Sequence, residues 1–280
     1  MIPRINHSRS QLISHLNSYP DGAYSFFVSK DVYAALFDQQ QPTIAASSPK
    51  GWQTSPKGMK FLWLPQLSES DVALIDDWKE RFEKYVLIGL NANLEDGFTD
   101  ELDFCMALDF NYDPIAEKRT PFGESRYQLK YKSSRQQAKV LGYALVDAVA
   151  DLPIPTEYRE SYCLSCIPAP PDEVTIPRRL AKGMATVLGR DFVDALLTCP
   201  KQQMKNAAVA DKIPAWRDLY NQGCITLSDS VNGRLVVIVD DLYQSGATMW
   251  TYAEYLKSQG AAHVIGLPCV KSMRDSDNTP

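Results

Sequence analysis

Two adjacent carboxylates, Asp240 and Asp241, stand between an apolar run and a loop of small polar residues. The run from Leu235 to Val239 is continuous and β-branched, which predicts a central parallel strand covered on both faces. Carboxylates after such a strand can accept hydrogen bonds from sugar hydroxyls or hold a hydrated Mg²⁺ ion. We therefore predict that both bind a polar ligand, directly or through this metal.

The loop after the acidic pair has the composition of an anion site. Gly246 can take a positive φ angle or let the backbone approach a ligand closely. Apolar spacing from Met249 to Leu256 predicts a helix that ends at Gly260. Unpaired amides and the positive end of the helix dipole then favour a phosphate. The predicted phosphate-binding residues are Asp240, Asp241, Gln244, Ser245, Gly246, Ala247 and Thr248. The alternative is a solvated strand end followed by an ordinary turn.

Strand, acidic pair, loop and helix together resemble the signature of the type I phosphoribosyltransferases, which use 5-phosphoribosyl-1-pyrophosphate (PRPP). The resemblance implies that Asp240 and Asp241 hold the ribose as catalytic residues, with Mg²⁺ as cofactor. It places Ser245 to Thr248 on the 5′-phosphate. Purine-salvage members carry an Asp where this chain has Gln244. An amide cannot transfer protons as a carboxylate does, so purine transfer of that kind is disfavoured.

A closer resemblance is to the ComF-like phosphoribosyltransferases, over roughly the C-terminal two-thirds of the chain. It implies a Rossmann-like α/β fold, a mostly parallel sheet with helices on both faces, plus an N-terminal extension. Paired CxxC motifs, typical of members with a zinc ribbon, are missing, so we expect no structural zinc. The stretches that carry the resemblance are Arg119–Gly123, Tyr127–Lys132, Cys166–Pro170, Pro177–Gly189 and Gly260–Lys271.

Two arginines are candidates for contacting the pyrophosphate. The preceding loop, Pro168 to Pro171, is rich in proline and can donate few backbone hydrogen bonds. Arg178 and Arg179, at the start of the next predicted helix, could donate instead. A solvated helix face is the alternative interpretation of both.

The resemblance also implies a mobile loop that closes on PRPP, in the polar segment 202–217. A basic residue from it would neutralise the leaving pyrophosphate. The candidates are Lys205, which we favour as the catalytic one, Lys212 and Arg217. A plain surface role is the alternative for each.

Composition sets limits on organisation. With 280 residues, 45% of them hydrophobic and 22% charged, the chain has room for two modest domains or one extended domain. We predict a division near residue 95. Residues 1–95 form an N-terminal region of unknown role, which could bind a partner protein. Residues 96–280 form the phosphoribosyltransferase-like domain, with its core at about 158–275.

Charge and hydropathy exclude several function classes. The net charge of −5 disfavours direct nucleic-acid binding. No apolar run reaches the ~18 residues that a membrane helix needs, and no signal-peptide core follows the N-terminus. We therefore expect a cytoplasmic protein with six reduced cysteines. Cys163 and Cys166 should be core thiols on opposite faces of a strand, with a redox pair as the alternative.

The predicted function is Mg²⁺-dependent binding of PRPP, or of a ribose 5-phosphate nucleotide, with phosphoribosyl transfer by a homodimer. The acceptor base is not identified by the sequence. Two alternatives stay open: a non-catalytic sensor of PRPP or nucleotide, and an interaction module for DNA uptake or processing that docks through residues 1–95.

Overall fold

The computed structural model describes residues 1–89, 101–200 and 209–273. The elements of the first segment are β1 (Arg9–Ser10), β2 (Ser14–Ser18), β3 (Tyr24–Val28), α1 (Asp31–Gln40), α2 (Pro42–Ala46), β4 (Trp52–Thr54), β5 (Lys60–Leu64), α3 (Glu69–Phe82) and β6 (Val86–Ile88). Those of the second segment are β7 (Phe104–Ala107), β8 (Asp109–Phe110), β9 (Tyr112–Asp113), β10 (Lys118–Arg119), α4 (Pro121–Lys132), α5 (Arg135–Val149), β11 (Cys163–Cys166), α6 (Ile176–Leu188), β12 (Phe192–Val193) and β13 (Ala195–Leu197). Those of the third are α7 (Val209–Asn221), β14 (Ile225–Leu227), β15 (Leu235–Tyr243), α8 (Ala247–Ser258) and β16 (His263–Lys271).

The main sheet has eight strands in the order β1-β6-β7-β16-β15-β11-β12, with β8 also beside β16. The strands from β7 to β12 along this order run parallel, and β1 and β6 form an antiparallel edge. The apolar run predicted as a central strand lies in β15, between β16 and β11. The predicted fold class, a mostly parallel α/β sheet, is confirmed.

Helices cover both faces of this sheet, as the two-sided apolar character of β15 predicts. Val237 belongs to the core cluster that contains residues of α4, α5 and α6. Its neighbour Ile238 belongs to the cluster that contains residues of α7 and α8. Alternation from Leu235 to Val239 therefore assigns odd-numbered residues to the α4–α6 face and even-numbered residues to the α8 face. The order is reversed at the end of β15, where Leu242 packs on the first cluster and Tyr243 belongs to the second.

The N-terminal region is joined to the main sheet. Strands β2, β3, β5 and β4 form a separate antiparallel sheet, while β1 and β6 extend the main one. Asp151, after α5, is buried, accepts a hydrogen bond from Tyr85 Oη and pairs with Arg81. Residues on both sides of the predicted division thus share one core cluster.

The prediction that all six cysteines are reduced thiols is wrong. Cys199 and Cys224 form a disulfide instead of remaining reduced thiols. The antiparallel pairing of β13 with β14 causes this, because the register Leu197↔Ile225 brings the two residues together. Cys163 and Cys166 are buried free thiols in separate core clusters on the two faces of β11, as predicted.

Within the described ranges, no helix is both long enough and apolar enough to span a membrane.

Candidate functional site

The acidic pair lies inside β15 and not at its end. The strand continues beyond Asp241 through Leu242 and Tyr243, which pair with Val270 and Lys271 of β16. The regular alternation of β15 breaks across the acidic pair, and the two carboxyl groups lie close enough to interact through their charges.

Asp241 forms an ion pair that the sequence did not suggest. Arg126 Nε, on α4, donates to Asp241 Oδ2 at 2.9 Å, and the two side chains are 9% and 18% exposed. The residues are 115 positions apart. No periodicity or motif identified Arg126 as a partner, although it adjoins the stretch Tyr127–Lys132 that carries the family resemblance.

Asp240 has a different environment. Its side chain is half-buried, and its Oδ1 accepts a hydrogen bond from the Asp241 amide at 2.7 Å. Burial, reinforced by the negative charge of Asp241, raises the pKa of Asp240 to about 8. A carboxyl group with this pKa gains a proton near neutral pH, so it can change from hydrogen-bond acceptor to donor.

The loop after β15 leads directly into α8. Gly246 has a φ angle of 86°, and the helix begins at Ala247, two residues before the apolar pattern indicated. Helices α3 to α6 each begin after a Ser or Thr side chain that accepts an amide hydrogen bond, whereas α8 has no side-chain cap. In the described part of the chain, no group accepts a hydrogen bond from the amides of residues 245–249. These amides can bind an anion.

Gly246 is required by protein packing as well as by its backbone conformation. A Cβ at this position would lie 2.4 Å from Tyr243 Oη and 2.5 Å from the Trp250 ring. A side chain would therefore collide with these two rings before it could obstruct a ligand. Loss of binding in a Gly246 variant would report misfolding of the loop.

Two cationic residues near the loop were not predicted from the sequence. Arg9 of β1 and Lys271 of β16 line one small cavity together with Ser245. Arg9 Nη1 is buried without a hydrogen-bond partner among the described residues. Lys271 is buried and its Nζ donates to the backbone carbonyl of Gln244. The N-terminal strand thus brings positive charge to the predicted phosphate loop.

Arg178, predicted to contact pyrophosphate, stabilises the proline-rich loop instead. Its guanidinium pairs with Asp194 at 2.9 Å and is buried. The remaining donors bond to the carbonyl oxygens of Ala169, Pro170, Glu173 and Ala195. A contact with pyrophosphate would require these bonds to break, because all guanidinium donors are already used.

The other basic candidates lie in several places. Arg179 is exposed and lines a groove between α5 and α6 that contains no residue of β15 or of the phosphate loop. Lys212 is buried in α7, and burial lowers its pKa. Arg217 pairs with Glu254 of α8 at 2.9 Å. Lys205 lies outside the described residues.

Asp241, one of the two predicted Mg²⁺ ligands, pairs with Arg126. Among the described residues, no group of three or more His, Cys, Asp or Glu side chains could hold a metal. That Asp240 and Asp241 hold Mg²⁺, directly or through water, stays a prediction.

Comparisons with known proteins find similarity among solved structures. No family model matches the chain, and no curated protein matches it. Similar solved structures are phosphoribosyltransferases. The adenine enzyme of Leishmania tarentolae is 15% identical, with 67% of this chain and 96% of that chain covered and a TM-score of 0.32. The purine enzyme of Pyrococcus horikoshii is 16% identical, with coverages of 50% and 86% and a TM-score of 0.31. The hypoxanthine enzyme of Staphylococcus aureus is 13% identical, with coverages of 54% and 75% and a TM-score of 0.28.

Proposed function

We propose that this chain binds PRPP, or a related ribose 5-phosphate, at residues 244–248 and transfers the phosphoribosyl group. The observation that carries the proposal is the uncapped start of α8, where successive amides have no acceptor in the described part of the chain. This start lies beyond the carboxyl end of a parallel strand, which is where open α/β sheets bind ligands. Arg9 and Lys271 add positive charge beside Ser245.

The proposed reaction is a substitution at the anomeric carbon of PRPP. A nitrogen of the acceptor forms the new bond to this carbon and loses its proton to water, and the bond to pyrophosphate breaks with its electron pair leaving on the pyrophosphate oxygen. The loop amides hold the 5′-phosphate, and ionised Asp240 accepts hydrogen bonds from ribose hydroxyls. Positioning and electrostatics supply the acceleration, and no protein nucleophile is needed.

The proposal also names a basic residue for the leaving group, a metal ion and a subfamily. Lys205 neutralises the leaving pyrophosphate. Mg²⁺ arrives with the diphosphate of the ligand, and Asp240 and Asp241 are its candidate ligands through water. ComF-like proteins remain the proposed subfamily, on the stretches from Arg119 to Lys271 that resemble them.

A substitution at Thr248 tests the proposal. Thr248 is the second residue of α8 and is half-buried. Thr248→Asp adds a negative charge that favours the helix by about 0.3–1 kcal/mol but repels a phosphate. Calorimetric titration with PRPP, with and without Mg²⁺, should show binding by the wild type and by Thr248→Asn, and loss of binding by Thr248→Asp. Equal PRPP affinity in all three proteins would refute the site.

A non-catalytic PRPP sensor is the second candidate. One observation favours it: the proline-rich loop and Arg178, predicted to face the pyrophosphate, are hydrogen-bonded to each other. Release of pyrophosphate from PRPP, measured with a panel of bases, distinguishes the transferase from the sensor. Binding without release of pyrophosphate would support the sensor.

A further inference from the structure

We propose that a groove between α5 and α6 docks an acidic amphipathic helix from a partner protein. The groove has a volume of about 370 Å³ and lies away from β15 and the phosphate loop. Its floor includes Ala138, Val146 and Leu180. This inference does not depend on the proposed function.

The groove is open because two of its residues lack side chains. A Cβ at Gly142 or at Gly183 would meet no heavy atom within 4 Å. Tyr143 and Val187, beside these glycines, are 61% and 60% exposed. The surface is therefore apolar and accessible to the ridge of another helix.

The charges around the groove indicate the charge of the partner that it fits. Arg135, Lys139 and Arg179 line it and are exposed, and no lining residue is acidic. In the described ranges, none of these three cations has an ion-pair partner. The chain as a whole is acidic, with a net charge of −5. This local excess of positive charge beside an apolar floor complements a helix with an apolar stripe and acidic flanks.

The dimensions of the groove favour a helical occupant. Helices α5 and α6 contain 15 and 13 residues, so the groove between them accommodates about three to four turns of a third helix. Such a helix would place apolar residues at positions i, i+3, i+4 and i+7 on the floor. Its acidic side chains would then reach the cations on the walls.

Selection from a library of displayed helical peptides of about four turns, against the full chain, tests the proposal. Selected peptides should combine apolar residues at helical spacing with Asp or Glu beside them. Selection of basic peptides, or of peptides without helical spacing, would overturn it.

Variants locate the binding of one selected peptide, measured by fluorescence anisotropy. Gly183→Trp fills the groove and Lys139→Glu reverses a charge on its wall, so each should weaken binding by roughly tenfold or more, about 1.4 kcal/mol. Gly183→Ala leaves the groove open, and Lys182→Glu makes the same charge change on α6 outside the lining. Both controls should bind like the wild type. Unchanged binding by Gly183→Trp would refute the location, provided that its thermal unfolding matches that of Gly183→Ala.

Two further measurements can overturn the choice of partner. Sedimentation that shows self-association abolished by Gly183→Trp would assign the groove to a second copy of the chain. Binding to vesicles of anionic lipid that the same substitution abolishes would assign it to a membrane surface. The proposal expects neither effect.

Discussion

Arg126 and Asp241 form a mostly buried ion pair that joins α4 to β15 at 2.9 Å. The pair makes Asp241 part of the support of the sheet. Its neighbour Asp240 is close enough for the charges of Asp241 and Arg126 to act on its carboxyl group. We therefore expect Asp241 to stabilise the fold and Asp240 to be available to a ligand.

Replacing Asp241 by Ala should lower the free energy of unfolding by about 3 kcal/mol. The substitution leaves the Arg126 guanidinium buried without its partner, which is the costly way to break a buried ion pair. Urea denaturation followed by circular dichroism measures the effect. The double variant Arg126→Met with Asp241→Leu should recover most of the loss, since it removes both charges. An Asp241→Ala protein as stable as the wild type would contradict the structural role of the pair.

Asp240 should make both stability and binding depend on pH. Its folded-state pKa is raised from 3.8 to about 8, so its ionisation opposes folding. The stabilisation from this group is complete below pH 4 and is lost as the pH rises through about 8. The wild type should therefore lose unfolding free energy relative to Asp240→Asn across this range.

Binding of PRPP should show the opposite dependence, because the ionised carboxylate accepts hydrogen bonds from the ribose hydroxyls. Affinity should rise between pH 6 and 8.5 in the wild type, whereas Asp240→Asn should show no such rise. Isothermal titration at several pH values measures both proteins. Parallel pH profiles for the two would refute this assignment.

Much of the fold could be predicted because its signals are local. The β-branched run at Leu235–Val239 lies in the central strand β15. Ser134 caps α5, and Leu141 and Leu145 are buried at helical spacing. Gly189 ends α6 in the left-handed conformation. Each feature depends on residues a few positions apart, and alternation or helical spacing records such neighbours.

The site was harder to predict because its supporting contacts are distant in sequence. Arg126 reaches Asp241 from another element, and Arg9 of the N-terminal strand lines a cavity together with Ser245. The length of β15 was also underestimated, since parallel pairing with β16 extends it past two acidic residues. The pairing of Cys199 with Cys224 likewise follows from strand register, which the spacing of cysteines does not encode.

Arg178 and Arg179 should respond differently to the same conservative substitution. Arg178→Lys removes the planar fork that bonds to Asp194 and to loop carbonyls, and should cost about 2–3 kcal/mol of unfolding free energy. Arg179→Lys, on the exposed side of the same helix, should change stability by less than about 0.5 kcal/mol. Chemical denaturation of both proteins compares them. Equal stability of the two variants would show that the proline-rich loop does not depend on Arg178.

Arg9 should contribute to phosphate binding although it lies far from the motif in sequence. Its Nη1 is buried without a partner among the described residues, in the cavity that it shares with Ser245 and Lys271. Arg9→Met keeps the apolar stem and removes the charge, so PRPP affinity should fall by roughly tenfold while stability is retained or increased. Arg4→Met, at an exposed position near the N-terminus, is the matched control and should bind PRPP like the wild type. Separate titrations with inorganic phosphate and with PRPP distinguish loss of the phosphate contact from a general loss of the site. If Arg9→Met binds both ligands as tightly as Arg4→Met does, the N-terminal strand has no part in holding the phosphate.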